Sequence, residues 1–94
     1  MIDSAARFVY VVNEFGNSIS AYRIDSSGAL TPISGSPFPA GRVPIQAALD
    51  PTARFLYVAN RGSSDISAYS IGSNGSLTPV AGSPFAAESD LIQW

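Results

Sequence analysis

The 94-residue chain contains no cysteine, no histidine and no lysine. Without cysteine and histidine it cannot form a disulfide, a thiolate or imidazole metal site, or a histidine-dependent acid–base pair. Without lysine it has neither a Schiff-base nucleophile nor a lysine that could activate a serine. These absences exclude the catalytic arrangements that depend on those side chains, and we expect no cofactor and no metal.

Charge and long apolar runs are also scarce. Charged residues make up 13% of the chain, and five arginines against seven acidic residues give a net charge of −2. No basic stripe is available to neutralise phosphates, so we expect no nucleic-acid partner. Apolar runs such as Phe8–Val12 are far shorter than the roughly 18 residues of a membrane span, and we expect no membrane partner. The sequence does not begin with a basic segment followed by an apolar one, so it predicts no signal peptide.

What the chain does have is apolar content and an internal repeat. Apolar residues make up 46% of the sequence, which is enough to build a core, and the length is that of one domain. Shifted by 47 positions, the sequence aligns with itself without a gap, and 24 of the 47 positions are identical. Residues 1–47 and 48–94 are therefore two copies of one unit. The matching segments are RFVYVVN and RFLYVAN, ISAY and ISAY, LTP and LTP, and GSPF and GSPF.

Each copy consists of short apolar segments separated by turn residues. In the first copy we predict strands at Phe8–Val12, which should be covered on both faces, at Ile19–Ile24 and at Leu30–Ile33, followed by a fourth at Pro44–Leu49. Asn74-Gly75 is a strong hairpin signal, and Pro32 marks the third strand as an edge strand. Four short strands in about 40 to 50 residues is the period of a propeller blade. The sequence predicts an all-β chain of two β-propeller blades, each with four antiparallel strands.

The two ends of the chain complement each other. Aligned by the period, Ile92-Gln93-Trp94 corresponds to Ile45-Gln46-Ala47, and the segment that begins Met1-Ile2 corresponds to the one that begins Ala48-Leu49. One chain's end therefore continues in register into another's start, and head-to-tail contacts can close into a ring. We predict a homotrimer with six blades, or alternatively a homotetramer with eight. The junction residues are Met1, Ile2, Ile92, Gln93 and Trp94, and the other interpretation is a piece of a longer propeller.

The string Arg54-Phe55-Leu56-Tyr57-Val58-Ala59-Asn60, with Ile66–Ile71, Leu77-Thr78-Pro79 and Gly82–Phe85 after it, closely resembles the lactonase-type propeller repeats, also called YVTN repeats. The resemblance covers essentially the whole chain and implies blades rather than a particular reaction. Members of that family are typically seven-bladed single chains, some resemble lactonases, and they are often extracytoplasmic. Activity in the family is associated with polar groups that include histidine, which this chain lacks, so no catalytic residue is carried over and the compartment stays open.

Candidate binding residues come from the loops. In propellers of this strand order, the turn after Val12 and the link before Pro44 lie near the channel mouth. Glu14, Arg42 and Arg61 are our candidate ligand-binding residues there, although loop residues are polar in any case. We favour a self-assembling scaffold without catalysis of its own. The alternatives are a lactonase-like hydrolase that uses these three residues, and a sugar-binding lectin that depends on Phe15 or Trp94.

Overall fold

The computed structural model describes residues 7–50, 52 and 54–86, which form nine β-strands. No helix that could span a membrane occurs in this part of the chain. The strands are β1 (Phe8–Asn13), β2 (Ser18–Ile24), β3 (Leu30–Pro32), β4 (Phe38–Pro39), β5 (Pro44–Leu49), β6 (Phe55–Asn60), β7 (Asp65–Ile71), β8 (Leu77–Pro79) and β9 (Phe85–Ala86).

The strands make two antiparallel sheets. The first sheet has the order β1-β2-β3, with β4 also paired to β2. The second sheet has the order β5-β6-β7-β8, with β9 paired to β7. Strand β5 spans the boundary between the two sequence repeats, at residues 47 and 48. The predicted all-β, antiparallel architecture is confirmed, whereas two sheets do not close a ring, and the ring and its blade number stay predictions.

The structure corrects three details of the predicted strands. Strands β4 and β9 were not expected, because two residues carry no alternating pattern. The third strand ends at Pro32 rather than Ile33. The strand that begins at Phe8 is not covered on both faces, since Val11 is exposed.

Each sheet has two faces, which we name by the residues of the first sheet. The front face carries Phe8 and Tyr10 of β1, and the back face carries Val9 and Val11, because side chains alternate along a strand. Repeat-equivalent residues of the second sheet are on the corresponding faces. The front face of the first sheet packs on the back face of the second, and together they form the core. Its members are Phe8, Tyr10, Ile19, Ala21 and Ile33 from the first sheet, and Ala47, Leu56, Val58, Tyr69 and Leu77 from the second.

Two tyrosines join the sheets by hydrogen bonds. The Tyr10 hydroxyl donates to the Gly75 carbonyl oxygen at 2.8 Å, and this bond is buried. The Tyr69 hydroxyl donates to the Pro39 carbonyl oxygen at 2.6 Å. Burial raises the pKa of Tyr69, which keeps its hydroxyl protonated as a donor. The contact between the blades is therefore apolar in its centre and tied by one tyrosine from each sheet.

Candidate functional site

A buried asparagine holds the loop that follows β6. The Asn60 side chain is completely buried, and its Nδ2 donates to Asp65 Oδ1 and to Ser67 Oγ, both at 2.9 Å. Its Oδ1 accepts a hydrogen bond from the backbone N–H of Gly41 at 3.2 Å. A buried amide needs partners for both of its polar ends, and Asn60 has them. Asn60 therefore fixes the loop 61–64 against the link between the two sheets.

The first sheet repeats this arrangement at Asn13. Its Nδ2 donates to Ser18 Oγ at 3.1 Å and to Ser20 Oγ at 2.8 Å. Ser18 and Asp65 occupy the same repeat position, so the second loop is closed by a carboxylate and the first by a hydroxyl. Because the same device occurs in both blades, we interpret the asparagine as a structural residue of the blade and not as a catalytic group.

The link at residues 40–43 lies between the two loops. The backbone N–H of Val43 donates to Asn17 Oδ1 and that of Ala40 to the Asn17 carbonyl oxygen, both at 3.0 Å. On the other side, the N–H groups of Arg61 and Gly62 donate to the carbonyl oxygens of Val43 and Arg42, both at 2.9 Å. The loop after β1, the link and the loop after β6 thus form one continuous edge of the molecule.

Two of the three candidate ligand-binding residues are neighbours on this edge. Arg42 and Arg61 are exposed, and the side chain of Arg42 donates from Nη2 to the Gly62 carbonyl oxygen at 3.0 Å. Glu14 is exposed in the loop after β1 and makes neither an ion pair nor a side-chain hydrogen bond with the described residues. Within the part of the chain that the structure describes, the edge therefore carries two exposed arginines, and no carboxylate forms an ion pair with either of them.

The Asp65 carboxylate, which follows the loop that contains Arg61, already accepts hydrogen bonds. Asp65 accepts hydrogen bonds from Asn60 and from Ser63 Oγ, the latter at 2.9 Å. Among residues 7–50, 52 and 54–86 there is no group of three side chains that could hold a metal. Two exposed guanidinium groups can bind an anion, but they supply no general base at neutral pH.

The predicted junction residues Met1, Ile2, Ile92, Gln93 and Trp94 lie outside the described residues. No candidate binding residue was predicted on the front face of the second sheet, where the structure shows a shallow groove of about 190 Å³. The repeat could have indicated this groove, because Tyr57 in the groove is the equivalent of Tyr10 in the core. The groove is lined by Gln46, Ala47, Ala48, Tyr57, Ala59 and Ile66.

Residues 1–92 match the family described as Lactonase, 7-bladed beta-propeller. The chain belongs to this family. The match covers nearly the whole chain and agrees with the two antiparallel sheets and with the repeat of 47 residues. Among curated proteins, none matches the chain significantly.

Solved structures show the same lactonase-family fold. A protein from Lactobacillus plantarum matches 94% of this chain with a TM-score of 0.83 and 24% identity. A Bacteroides fragilis protein proposed to be a 6-phosphogluconolactonase matches 93% with a TM-score of 0.82 and 19% identity. The periplasmic gluconolactonase of Pseudomonas aeruginosa matches 93% with a TM-score of 0.77 and 22% identity. The matched regions are 26%, 25% and 24% of those proteins, so this chain spans about a quarter of their length.

Proposed function

We propose that the chain is a two-blade building unit that associates with copies of itself to complete a propeller, and that it acts as a scaffold without catalysis of its own. One observation carries this proposal. Tyr10 and Tyr57 occupy the same repeat position, yet Tyr10 is 1% exposed and Tyr57 is 42% exposed. Tyr10 is covered by the second sheet, whereas none of the described sheets covers Tyr57 in this way.

The apolar groove around Tyr57 supports association. Exposed apolar faces and incompletely covered sheets are typical of protein–protein contacts. Three copies would give six blades and four copies would give eight, and both numbers lie within the range of about 4 to 8 blades that propellers use. We favour the homotrimer. Either ring differs from the seven blades in the family's description, because two-blade units give only even numbers.

The two arginines of the candidate site are suited to binding an anion rather than to proton transfer. Among the described residues neither Arg42 nor Arg61 forms an ion pair with a carboxylate, and the Asp65 carboxylate accepts hydrogen bonds from Asn60 and Ser63. Hydrolysis needs a group that can accept and return a proton near the reacting carbonyl. Neither arginine can do so.

The solution mass tests the proposed function. For chains of 9.8 kDa, light scattering after size exclusion should give 29.4 kDa for a trimer or 39.2 kDa for a tetramer. A single species at 9.8 kDa over the accessible concentration range would contradict the proposal.

A second function, lactone hydrolysis, is favoured by the two exposed arginines, Arg42 and Arg61, on one edge of the molecule and by the activity named for the Pseudomonas aeruginosa relative. In this alternative the two arginines bind the anionic group of a lactone, and Glu14 of the same edge acts as the general base. Measured on a gluconolactone, Glu14→Gln should abolish turnover, and Arg61→Ala should lower kcat/KM about 10- to 100-fold, the effect of one charge-assisted hydrogen bond. Arg23→Ala, an exposed arginine in β2, is the control and should leave turnover unchanged. An inactive wild-type protein would eliminate this alternative.

A further inference from the structure

The contact between the two sheets of one chain is a template for a contact between chains. At its centre the front face of the first sheet supplies Tyr10, and the back face of the second supplies Val58 and Leu77. These three side chains are 1%, 0% and 6% exposed. The contact is therefore closely packed, and every residue in it has a counterpart 47 positions away.

The counterparts of these residues are uncovered. Tyr57, the equivalent of Tyr10, is on the front face of the second sheet, while Val11 and Leu30, the equivalents of Val58 and Leu77, are on the back face of the first. Their exposed fractions are 42%, 42% and 51%. The chain thus has one open front face and one open back face, with the same residue types that already pack together inside it.

The hydrogen-bonding groups follow the same pattern. Inside the chain, Tyr10 donates to Gly75 and Tyr69 donates to Pro39. Their counterparts Tyr57 and Tyr22 make no side-chain hydrogen bond with the described residues. The carbonyl groups equivalent to the two acceptors belong to Gly28 and Ala86, on the two open faces.

The glycine turns show how closely a partner would fit. Gly75 and Gly28 have nearly the same backbone conformation, with φ angles of +87° and +88°. A Cβ atom added at Gly75 would lie 2.7 Å from the side chains of both Phe8 and Ile33, so the other sheet presses directly on this turn. A Cβ atom at Gly28 would have nothing within 4 Å. The surface of the Gly28 turn is vacant where its counterpart is filled.

We infer that the open front face of the second sheet binds the open back face of the first sheet in a second copy of this chain. In this contact Tyr57 donates to the Gly28 carbonyl of the second copy, and Tyr22 of the second copy donates to the Ala86 carbonyl of the first. The inference rests on the proposed function and specifies its surface. A contact between two front faces would bring together two tyrosine donors without a glycine turn, so the contact is head to tail. Each added copy leaves one front face and one back face open until the ring closes.

Two charge variants test this contact. Tyr57→Arg disables the front face and leaves the back face intact, whereas Val11→Arg disables the back face and leaves the front face intact. Each variant alone should be a folded monomer of 9.8 kDa, and their equimolar mixture should form a dimer of 19.6 kDa, because one intact front face meets one intact back face. Thr31→Arg is the control, because Thr31 is exposed on β3 and belongs to neither open face; it should keep the wild-type mass.

The outcomes separate this inference from the proposed function. A monomeric wild-type chain would contradict both. An oligomer whose mass is unchanged by Tyr57→Arg and Val11→Arg would contradict the inferred contact and leave self-association standing. Monomeric single variants that stay monomeric when mixed would contradict the head-to-tail pairing. If circular dichroism shows that an arginine variant is unfolded, Tyr57→Phe replaces it. This variant loses one hydrogen bond, which should weaken association roughly 2- to 10-fold per contact. An unchanged association constant would contradict the inference.

Discussion

Alanine substitutions at the two equivalent glycines, Gly75 and Gly28, separate the packing between blades from the strain of the turn. Both residues have a positive φ, where an L-residue with a side chain is strained. Their surroundings differ, because only Gly75 lies against the other sheet. The turn strain is common to both variants, so the difference between them reports the contact between the sheets alone.

The expected magnitudes follow from these two contributions. Adopting the left-handed conformation costs about 1–2 kcal/mol for alanine, and both variants should lose this much stability. Gly75→Ala also places a methyl group 2.7 Å from the side chains of Phe8 and Ile33, and overpacking of a core typically costs about 1–3 kcal/mol more. We therefore expect Gly75→Ala to lower the free energy of unfolding by about 2–5 kcal/mol, and Gly28→Ala by about 1–2 kcal/mol.

Urea unfolding followed by circular dichroism measures both losses, at a protein concentration where the wild-type chain is monomeric. At higher concentration, Gly28→Ala should in addition reduce the oligomeric mass, because Gly28 lies in the inferred contact between copies. Equal losses of stability for the two variants in the monomer would refute the reasoning, since the measured difference would then contain no contribution from packing between the sheets.

Two further predictions concern polar residues. Asn60→Ala removes three hydrogen bonds of a buried amide and should lower the free energy of unfolding in urea by about 2–4 kcal/mol. Asn13→Ala removes two half-buried hydrogen bonds and should lower it by about 1–2 kcal/mol. A larger loss for Asn13→Ala than for Asn60→Ala would contradict this ranking. Hydrogen bonds from the Thr52 hydroxyl and from backbone N–H groups lower the pKa of Asp50 from 3.8 to about 2. This stabilisation is complete above about pH 4 and is lost as the pH falls towards 2. Asp50→Asn should therefore flatten the decline of the urea midpoint between pH 4 and pH 2, and an unchanged decline would contradict it.

Much of the fold was predictable because most sequence patterns that indicate a strand or a turn occur in both copies of the repeat. The hairpin at Asn74-Gly75 and the edge strand with Pro32 occur where the sequence places them. Strands β4 and β9 were not predictable, since each has two residues and a register set only by pairing with β2 or β7. Cover on both faces was wrongly expected for β1, because a sequence pattern records which faces are apolar but not whether a partner is present.

The candidate site was less predictable than the fold. The polarity of the loops suggested Glu14, Arg42 and Arg61 as one group. The backbones of the two arginines are close because the link and the loop after β6 are joined by backbone hydrogen bonds. No pattern of side chains in the sequence indicates such bonds. Asn60 was not among the candidate residues, and its burial became evident only with the link at Gly41, whose backbone N–H it binds. A comparison of Asn13 with Asn60 across the repeat was the available signal, because each is followed at the same spacing by a serine that it binds.

A crystal structure of the oligomer formed by this chain tests the central claim most directly. The account predicts a closed ring with two blades per chain, in which the Tyr57 hydroxyl lies within hydrogen-bonding distance of the Gly28 carbonyl oxygen of the neighbouring copy. An assembly in which Tyr57 remains in solvent, or in which two front faces meet, would contradict it.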